Sequence, residues 1–129
     1  MNPPRVRPCV LVVEDNVTVV NLYARAFAEQ FDVLSAYCGE DGYTLACTGR
    51  PDAVVVDALL PDMDGLNLCE RLVANPGTAW IPLIVVTGDD EAYKRALAMP
   101  ALDAVRKKPC AVNELLALLL FAMSIRRIE

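Results

Sequence analysis

Five short apolar runs alternating with five helix-like segments mark this 129-residue chain as an α/β protein. The architecture they predict is a five-stranded parallel sheet, doubly wound in the order 2-1-3-4-5, with helices on both faces. Three observations carry this. Each strand-like run is followed by a helical segment over a short link, the connection that parallel neighbours need. The strongest runs are nearly continuous Val, Leu and Ile rather than alternating, as in strands buried on both faces. No repeat, linker or low-complexity stretch interrupts the series, and the length is that of one domain with a real core.

In chain order, Cys9-Val10-Leu11-Val12-Val13 is the first strand and ends on Glu14-Asp15-Asn16, where Asp15 or Asn16 can cap the following helix. Val17, Val20, Ala24, Phe27 and Phe31 recur at helical spacing, with Asn21, Arg25 and Glu29 facing away. Asp32–Ala36 is a short strand. Gly39-Glu40-Asp41-Gly42 opens a weaker helix that runs to about Thr48 and is closed by Gly49-Arg50-Pro51-Asp52. Val54-Val55-Val56 then runs straight into Asp57, and the chain turns sharply through Pro61-Asp62-Met63-Asp64-Gly65. Leu66, Cys69, Leu72 and Val73 outline another amphipathic helix, stopped by Asn75-Pro76-Gly77. Ile81 to Val86 is a fourth buried strand, ending on Thr87-Gly88-Asp89-Asp90. A short helix follows from about Asp90 to Ala98, broken by Pro100. Leu102 to Arg106 is a weak fifth strand leading into Lys107-Lys108-Pro109. Val112, Leu115, Leu116, Leu119, Leu120 and Met123 give the apolar stripe of a closing helix, with Arg126 and Arg127 near its negative C-terminal end.

Bulk composition narrows the function. A net charge of −5 argues against nucleic-acid binding through bulk charge. The five cysteines (Cys9, Cys38, Cys47, Cys69, Cys110) are odd in number and lack a C-x-x-C pair, which fits reduced thiols filling the core of a cytoplasmic protein. No apolar signal core follows the charges of the first eight residues, and no apolar run is long enough to span a bilayer. With no histidine in the chain, His-based general bases, His-metal sites and phosphohistidine on this chain are excluded.

The chemistry lies at the strand exits. A parallel sheet brings the carboxyl ends of its strands to one edge. There the first strand delivers Glu14 and Asp15, the third Asp57, the fourth Thr87, and the fifth Lys108 followed by Pro109. Three carboxylates so close repel one another unless a cation compensates, and Mg²⁺, which prefers hard oxygens, suits the place. Lys108 adds a point charge able to pair with a carboxylate or hold a phosphoryl oxygen, and the Thr87 hydroxyl can donate to another. The set suits placing a phosphoryl group on a carboxylate.

Glu14-Asp15, Asp57, Pro61-Asp62-Met63-Asp64-Gly65, Thr87 and Lys108-Pro109, in this order and spacing, resemble the signature of the response-regulator receiver domain of two-component systems. The resemblance covers the chain from Cys9 to the last helix, and implies a flavodoxin-like receiver over 9–127 behind an N-terminal extension of residues 1–8. It further implies a signalling domain rather than a turnover enzyme. In such a domain a sensor histidine kinase or phosphotransfer protein would supply a phosphoryl group to Asp57. By the same resemblance, Asp15 would hold Mg²⁺ directly and Glu14 through water, with Asp57 and the backbone carbonyl of Leu59 completing the protein ligands. Lys108 would contact the phosphoryl group, Thr87 would swing towards it, Gly88 would be the small residue beside it, and Pro109 would follow a cis bond. The domain would be a monomer or weak homodimer without direct nucleic-acid or membrane contact. With no effector segment after Glu129, the expectation is a stand-alone receiver or the receiver of a longer protein.

Two departures from the family pattern stand out. Val105 occupies the position, three before the lysine, where the family usually has Tyr or Phe. Met99-Pro100-Ala101 shortens the approach to the fifth strand, so an atypical fourth helix is expected. Rival activities fit less well. Aspartyl phosphohydrolases of the haloacid-dehalogenase type resemble a D-x-D motif, but Leu59 stands where the second Asp would be. No glycine-rich phosphate loop follows the first strand, where Glu14-Asp15 would repel phosphate.

Overall fold

The computed structural model describes residues 7–128, with side chains through residue 125. Most of the expected 1–8 extension and the side chains of Arg126 and Arg127 lie outside the described residues. Five strands alternate with five helices: β1 Cys9–Val13, α1 Val17–Phe27, β2 Asp32–Ala36, α2 Gly39–Gly49, β3 Ala53–Val56, α3 Gly65–Ala74, β4 Leu83–Thr87, α4 Asp90–Leu97, β5 Ala104–Lys107 and α5 Val112–Ile128. The sheet is parallel throughout, in the order β2-β1-β3-β4-β5. The doubly wound order expected from the alternation is therefore the one observed.

Sheet position explains strand composition. β1, β3 and β4 occupy the middle and are buried along their whole length, as their continuous Val, Leu and Ile runs require. β2 and β5 lie at the edges and are only partly buried, which is why their sequences read weakly. Alternate side chains feed two cores. Leu11, Val13, Val54, Val56, Leu83 and Val85 face one side with α2, α3 and α4 residues. Val10, Val12, Val55, Ile84 and Val86 face the other with Tyr23 and Phe27 of α1 and Leu115, Leu119 and Met123 of α5.

Several helix faces differ from the spacing argument. The α1 stripe is Val20, Tyr23 and Phe27, whereas Val17 is exposed. The helix ends at Phe27 because Phe31 reaches the core from the turn beyond it, its N–H bonding back to the Phe27 carbonyl at 2.8 Å. On α3, Leu68 is fully buried and Val73 lies on the solvent side. On α5, Leu115, Leu119, Ala122 and Met123 are buried, but Leu120 and Phe121 point outward. Only Cys9 and Cys69 are core filler, since Cys38 and Cys110 are half-buried and Cys47 is exposed. Trp80 is exposed as well, its indole N–H donating to the Gly77 carbonyl at 2.9 Å.

The helix ends are capped from sequence. Asn16 caps α1, its Oδ1 accepting from Thr18 and Val19 N–H. Arg50 closes α2 in the left-handed region at φ 47°. α4 has eight residues and stops at Leu97, ahead of the turn that contains Pro100. Arg7 donates to the carbonyls of Ala28 and Phe31, so the segment entering β1 is tied to the end of α1.

The α3 face gives a direct check. Leu68→Ala should cost about 2–5 kcal/mol, whereas Val73→Ala should stay within about 0.5 kcal/mol. Urea unfolding of both variants measures this, and equal losses would contradict the burial pattern.

Candidate functional site

Ladder bonds carry the strand exits to one edge. Glu14 N–H bonds to the Ala36 carbonyl, Asp57 N–H to the Val13 carbonyl, and Lys108 N–H to the Thr87 carbonyl, at 3.0, 3.0 and 2.8 Å. The register therefore fixes these backbones before any side chain is considered. Carboxylate oxygens of Glu14, Asp15 and Asp57 lie within 4.8 Å of one another, with Glu14 buried, Asp57 half-buried and Asp15 exposed. The Lys108 Nζ bridges two of them, at 2.5 Å from Glu14 Oε1 and 2.9 Å from Asp57 Oδ2. Lys107 points away and pairs with Asp90 of α4. Asp57 Oδ1 accepts from the Leu59 N–H at 3.1 Å.

The remaining expected residues lie around this pair. Thr87 is fully buried, its Oγ1 accepting from the Asp89 N–H at 3.1 Å. Gly88 has room around it, because a Cβ there would meet the Lys108 side chain at an ordinary 3.8 Å. The Lys108–Pro109 peptide is cis. Val105 is buried in the core on the α4 side of the sheet.

The electrostatics follow from burial and crowding. Burial pushes the Glu14 carboxyl up to about 7; the Lys108 hydrogen bond opposes this and the neighbouring Asp57 adds to it. Burial alone would lower the Lys108 ammonium, but its bonds to Glu14 and Asp57 outweigh that and hold it above the usual lysine range. Glu14 Oε2 is buried without a hydrogen-bond partner among the described residues. Three carboxylates, one with an orphaned buried oxygen, form the donor set a hard divalent cation takes, so the residues present fit Mg²⁺.

Spacing did not reveal four further residues that shape the site. A Cβ on Gly65 would lie 2.1 Å from the Asp57 carbonyl oxygen, so only glycine lets α3 start against the end of β3. Asp62 accepts from Gly39 and Glu40 N–H at 2.7 and 2.9 Å, which caps α2 and lowers the Asp62 carboxyl. Asp64 caps α3 through Leu66 N–H at 2.9 Å and pairs with Arg95 of α4 at 2.7 Å. Of these, Gly65, Asp62 and Asp64 sit in the motif after Asp57, which was the available signal. Arg95 had none.

Residues 10–120 match the model of the response regulator receiver domain family. The chain belongs to that family. As a receiver domain it is 34% identical over 110 residues to the response regulator MprA of Mycolicibacterium vanbaalenii, covering 84% of this chain and 47% of that protein. It is 30% identical over 107 residues to the alkaline phosphatase synthesis transcriptional regulatory protein PhoP of Bacillus subtilis, covering 81% and 44%. The receiver thus spans about half the length of these curated relatives. Among solved structures, a putative response regulator from Chloroflexus aurantiacus superposes with a TM-score of 0.83 at 27% identity, over 92% of this chain and 98% of that one. A CheY-like receiver from Methanospirillum hungatei shares the fold, with a TM-score of 0.84 at 22% identity over 94% and 97%. No helix among the described residues is long and apolar enough to cross a membrane.

The raised Glu14 value has a sign that can be tested. In metal-free protein the folded state holds the Glu14 proton more tightly than the unfolded state. Its contribution is therefore fully present below the ordinary value of 4.5 and is lost as pH rises through about 7. Wild type should lose urea stability between about pH 5 and pH 8 relative to Glu14→Gln. Parallel pH profiles of the two proteins would refute the burial account.

Proposed function

We propose that this receiver takes a phosphoryl group onto Asp57 from the phosphohistidine of a sensor histidine kinase or phosphotransfer protein, in a Mg²⁺-dependent reaction, and signals by a change of conformation. The observation that carries this reading is the bridge made by Lys108 between Asp57 and Glu14, inside a cluster of three carboxylates at the sheet edge. The receiver unit would span 9–127, the segment 1–8 being an extension. It assists its own phosphorylation and dephosphorylation rather than acting as a turnover enzyme.

Each side chain has a defined task. An Asp57 carboxylate oxygen attacks phosphorus in line with the donor imidazole. The new P–O bond forms as the P–N bond breaks, and the electron pair stays on the imidazole nitrogen. Neutral imidazole departs if the other ring nitrogen carries a proton. Lys108 turns its ammonium from the carboxylates to the transferred oxygens, which carry about two negative charges once on Asp57. Thr87 gives up the Asp89 N–H and donates its hydroxyl to another of these oxygens, beside the open space over Gly88. Asp15, Glu14 (through water), Asp57 and the Leu59 carbonyl would hold Mg²⁺. When bound, the ion supplies charge neutralisation for the oxygens in flight. A cavity of about 400 Å³ beside Lys108, lined by Val19, Leu22, Tyr23, Pro109 and Cys110, leaves a largely apolar approach for the donor.

Incubation with acetyl phosphate and Mg²⁺ should add ~80 Da to the intact mass. The adduct should vanish in Asp57→Ala; its persistence there, or its absence from wild type, overturns the reading. Leu59 stands exposed two residues after Asp57 and can hinder the attacking water. Leu59→Asn is therefore expected to shorten the lifetime of the acyl phosphate, followed by loss of the adduct over time; an unchanged lifetime removes Leu59 from that role.

A further inference from the structure

Asp64 is a junction of three elements. Its Oδ1 caps α3, its Oδ2 accepts from Arg95 Nη2 of α4 at 2.7 Å, and its backbone forms an isolated antiparallel bridge with Leu59. Leu59 in turn donates its N–H to Asp57 Oδ1 at 3.1 Å. A continuous path therefore runs from the α4 guanidinium to the phosphoacceptor carboxylate. Asp62 anchors the other side of the same loop on α2. At its start α4 is attached to the site again, by the Asp89 N–H on Thr87 Oγ1 and by the Asp90–Lys107 pair. Among the described residues Arg95 makes the one ion pair to Asp64, whose side chain is 27% exposed.

We propose that Arg95 is a positioning residue for the phosphorylation chemistry, acting through Asp64 to hold the Leu59 peptide against Asp57. The proposal rests on the phosphoacceptor reading above, in which the Leu59 carbonyl helps to hold the cation. Across the 59–64 bridge the Gly65 N–H holds the Ala58 carbonyl at 2.8 Å, so the 58–59 peptide is fixed. Its Leu59 N–H sets the rotation of the Asp57 carboxylate, and its orientation constrains the Leu59 carbonyl that follows. Positioning of this kind is where displacements of an ångström or less become rate effects. The coupling is reciprocal, so whatever fills the Asp57 site alters the hold of the loop on α4.

The test compares Arg95→Gln, Arg95→Lys and Asp64→Asn with Lys94→Gln, a control that removes another exposed α4 ion pair, to Glu91. Two quantities are measured at fixed ionic strength. One is the Mg²⁺ Kd, from chemical-shift titration without phosphodonor. The other is the rate of the 80 Da adduct with acetyl phosphate across a Mg²⁺ series, the mass being that of a phosphoryl group (about 80 Da). Arg95→Gln should raise the Mg²⁺ Kd about two- to fivefold, the range open to a largely exposed ion pair. The half-saturating Mg²⁺ concentration should rise with it, and the saturated rate should change less. Arg95→Lys should recover part of the loss, Asp64→Asn should match Arg95→Gln, and Lys94→Gln should behave as wild type. A wild type that takes the adduct, with Arg95→Gln unchanged in Mg²⁺ Kd, overturns the proposal alone, and a lowered Tm with unchanged Kd does the same. A wild type that takes no adduct overturns the phosphoacceptor reading and the proposal with it.

Discussion

Holding Glu14, Asp15 and Asp57 together at one sheet edge is the constraint to which the rest of this receiver answers. Two carboxylates within 4.8 Å of each other repel by at least about 3.5 kcal/mol at an effective dielectric of 20, before solvent screening of the exposed Asp15. One lysine cannot balance three such charges. Lys108 neutralises Asp57 and one oxygen of Glu14, and leaves Glu14 Oε2 buried without a partner. The molecule relieves the strain in two ways. The Glu14 carboxyl is pushed up so that it takes a proton near neutral pH, and the three carboxylates form a donor set that fits a divalent cation. Both responses follow from the same excess of negative charge.

Such an arrangement needs a scaffold that does not yield. β1, β3 and β4 are buried along their whole length, and their register fixes Glu14 and Asp57 through backbone bonds. Cores packed on both sides deny these strands room to shift. The loop after Asp57 is fastened by side chains as well. Gly65 lets α3 press against the Asp57 carbonyl, while Asp62 and Asp64 send side chains to α2 and α4. A rigid edge thus carries the charge, and a loop fastened to two helices carries its consequences outward.

Much of this was legible in the sequence, for a physical reason. Strands buried on both faces have no polar alternation to confuse, so Val10–Val13 and Val54–Val56 declared themselves, and parallel topology then placed Glu14, Asp15, Asp57, Thr87 and Lys108 on one edge. Helix faces were harder. Val17 and Val73 fit a helical stripe yet are exposed, while Tyr23 and Leu68 hold the buried places. Periodicity gives the angle between residues but not the width or rotation of the face that packing selects. The Asp62 and Asp64 contacts were invisible for another reason. Each joins residues 22 to 31 positions apart through a single side chain, and no spacing rule encodes such a meeting.

Val105 makes those contacts matter. A valine buried in the core and branched at Cβ has one strongly limited rotamer, so it cannot swing between an inward and an outward place as a ring on a single χ1 bond can. The connections from Asp57 to the helices then run along the backbone and the bonds attached to it. Two of these connections end on α4, Thr87 Oγ1 to the Asp89 N–H at its start and Leu59 through Asp64 to Arg95 in its last turn, while Asp62 ties the same loop to α2. α4 has only eight residues, too short to be stable without its tertiary contacts, and it buries just Ala92 and Ala96 fully. Few fully buried residues and three polar attachments, at Asp89, Asp90 and Arg95, therefore hold α4 in place. The short helix and the missing ring therefore go together: α4 is held to the reactive edge by polar tethers more than by an apolar face.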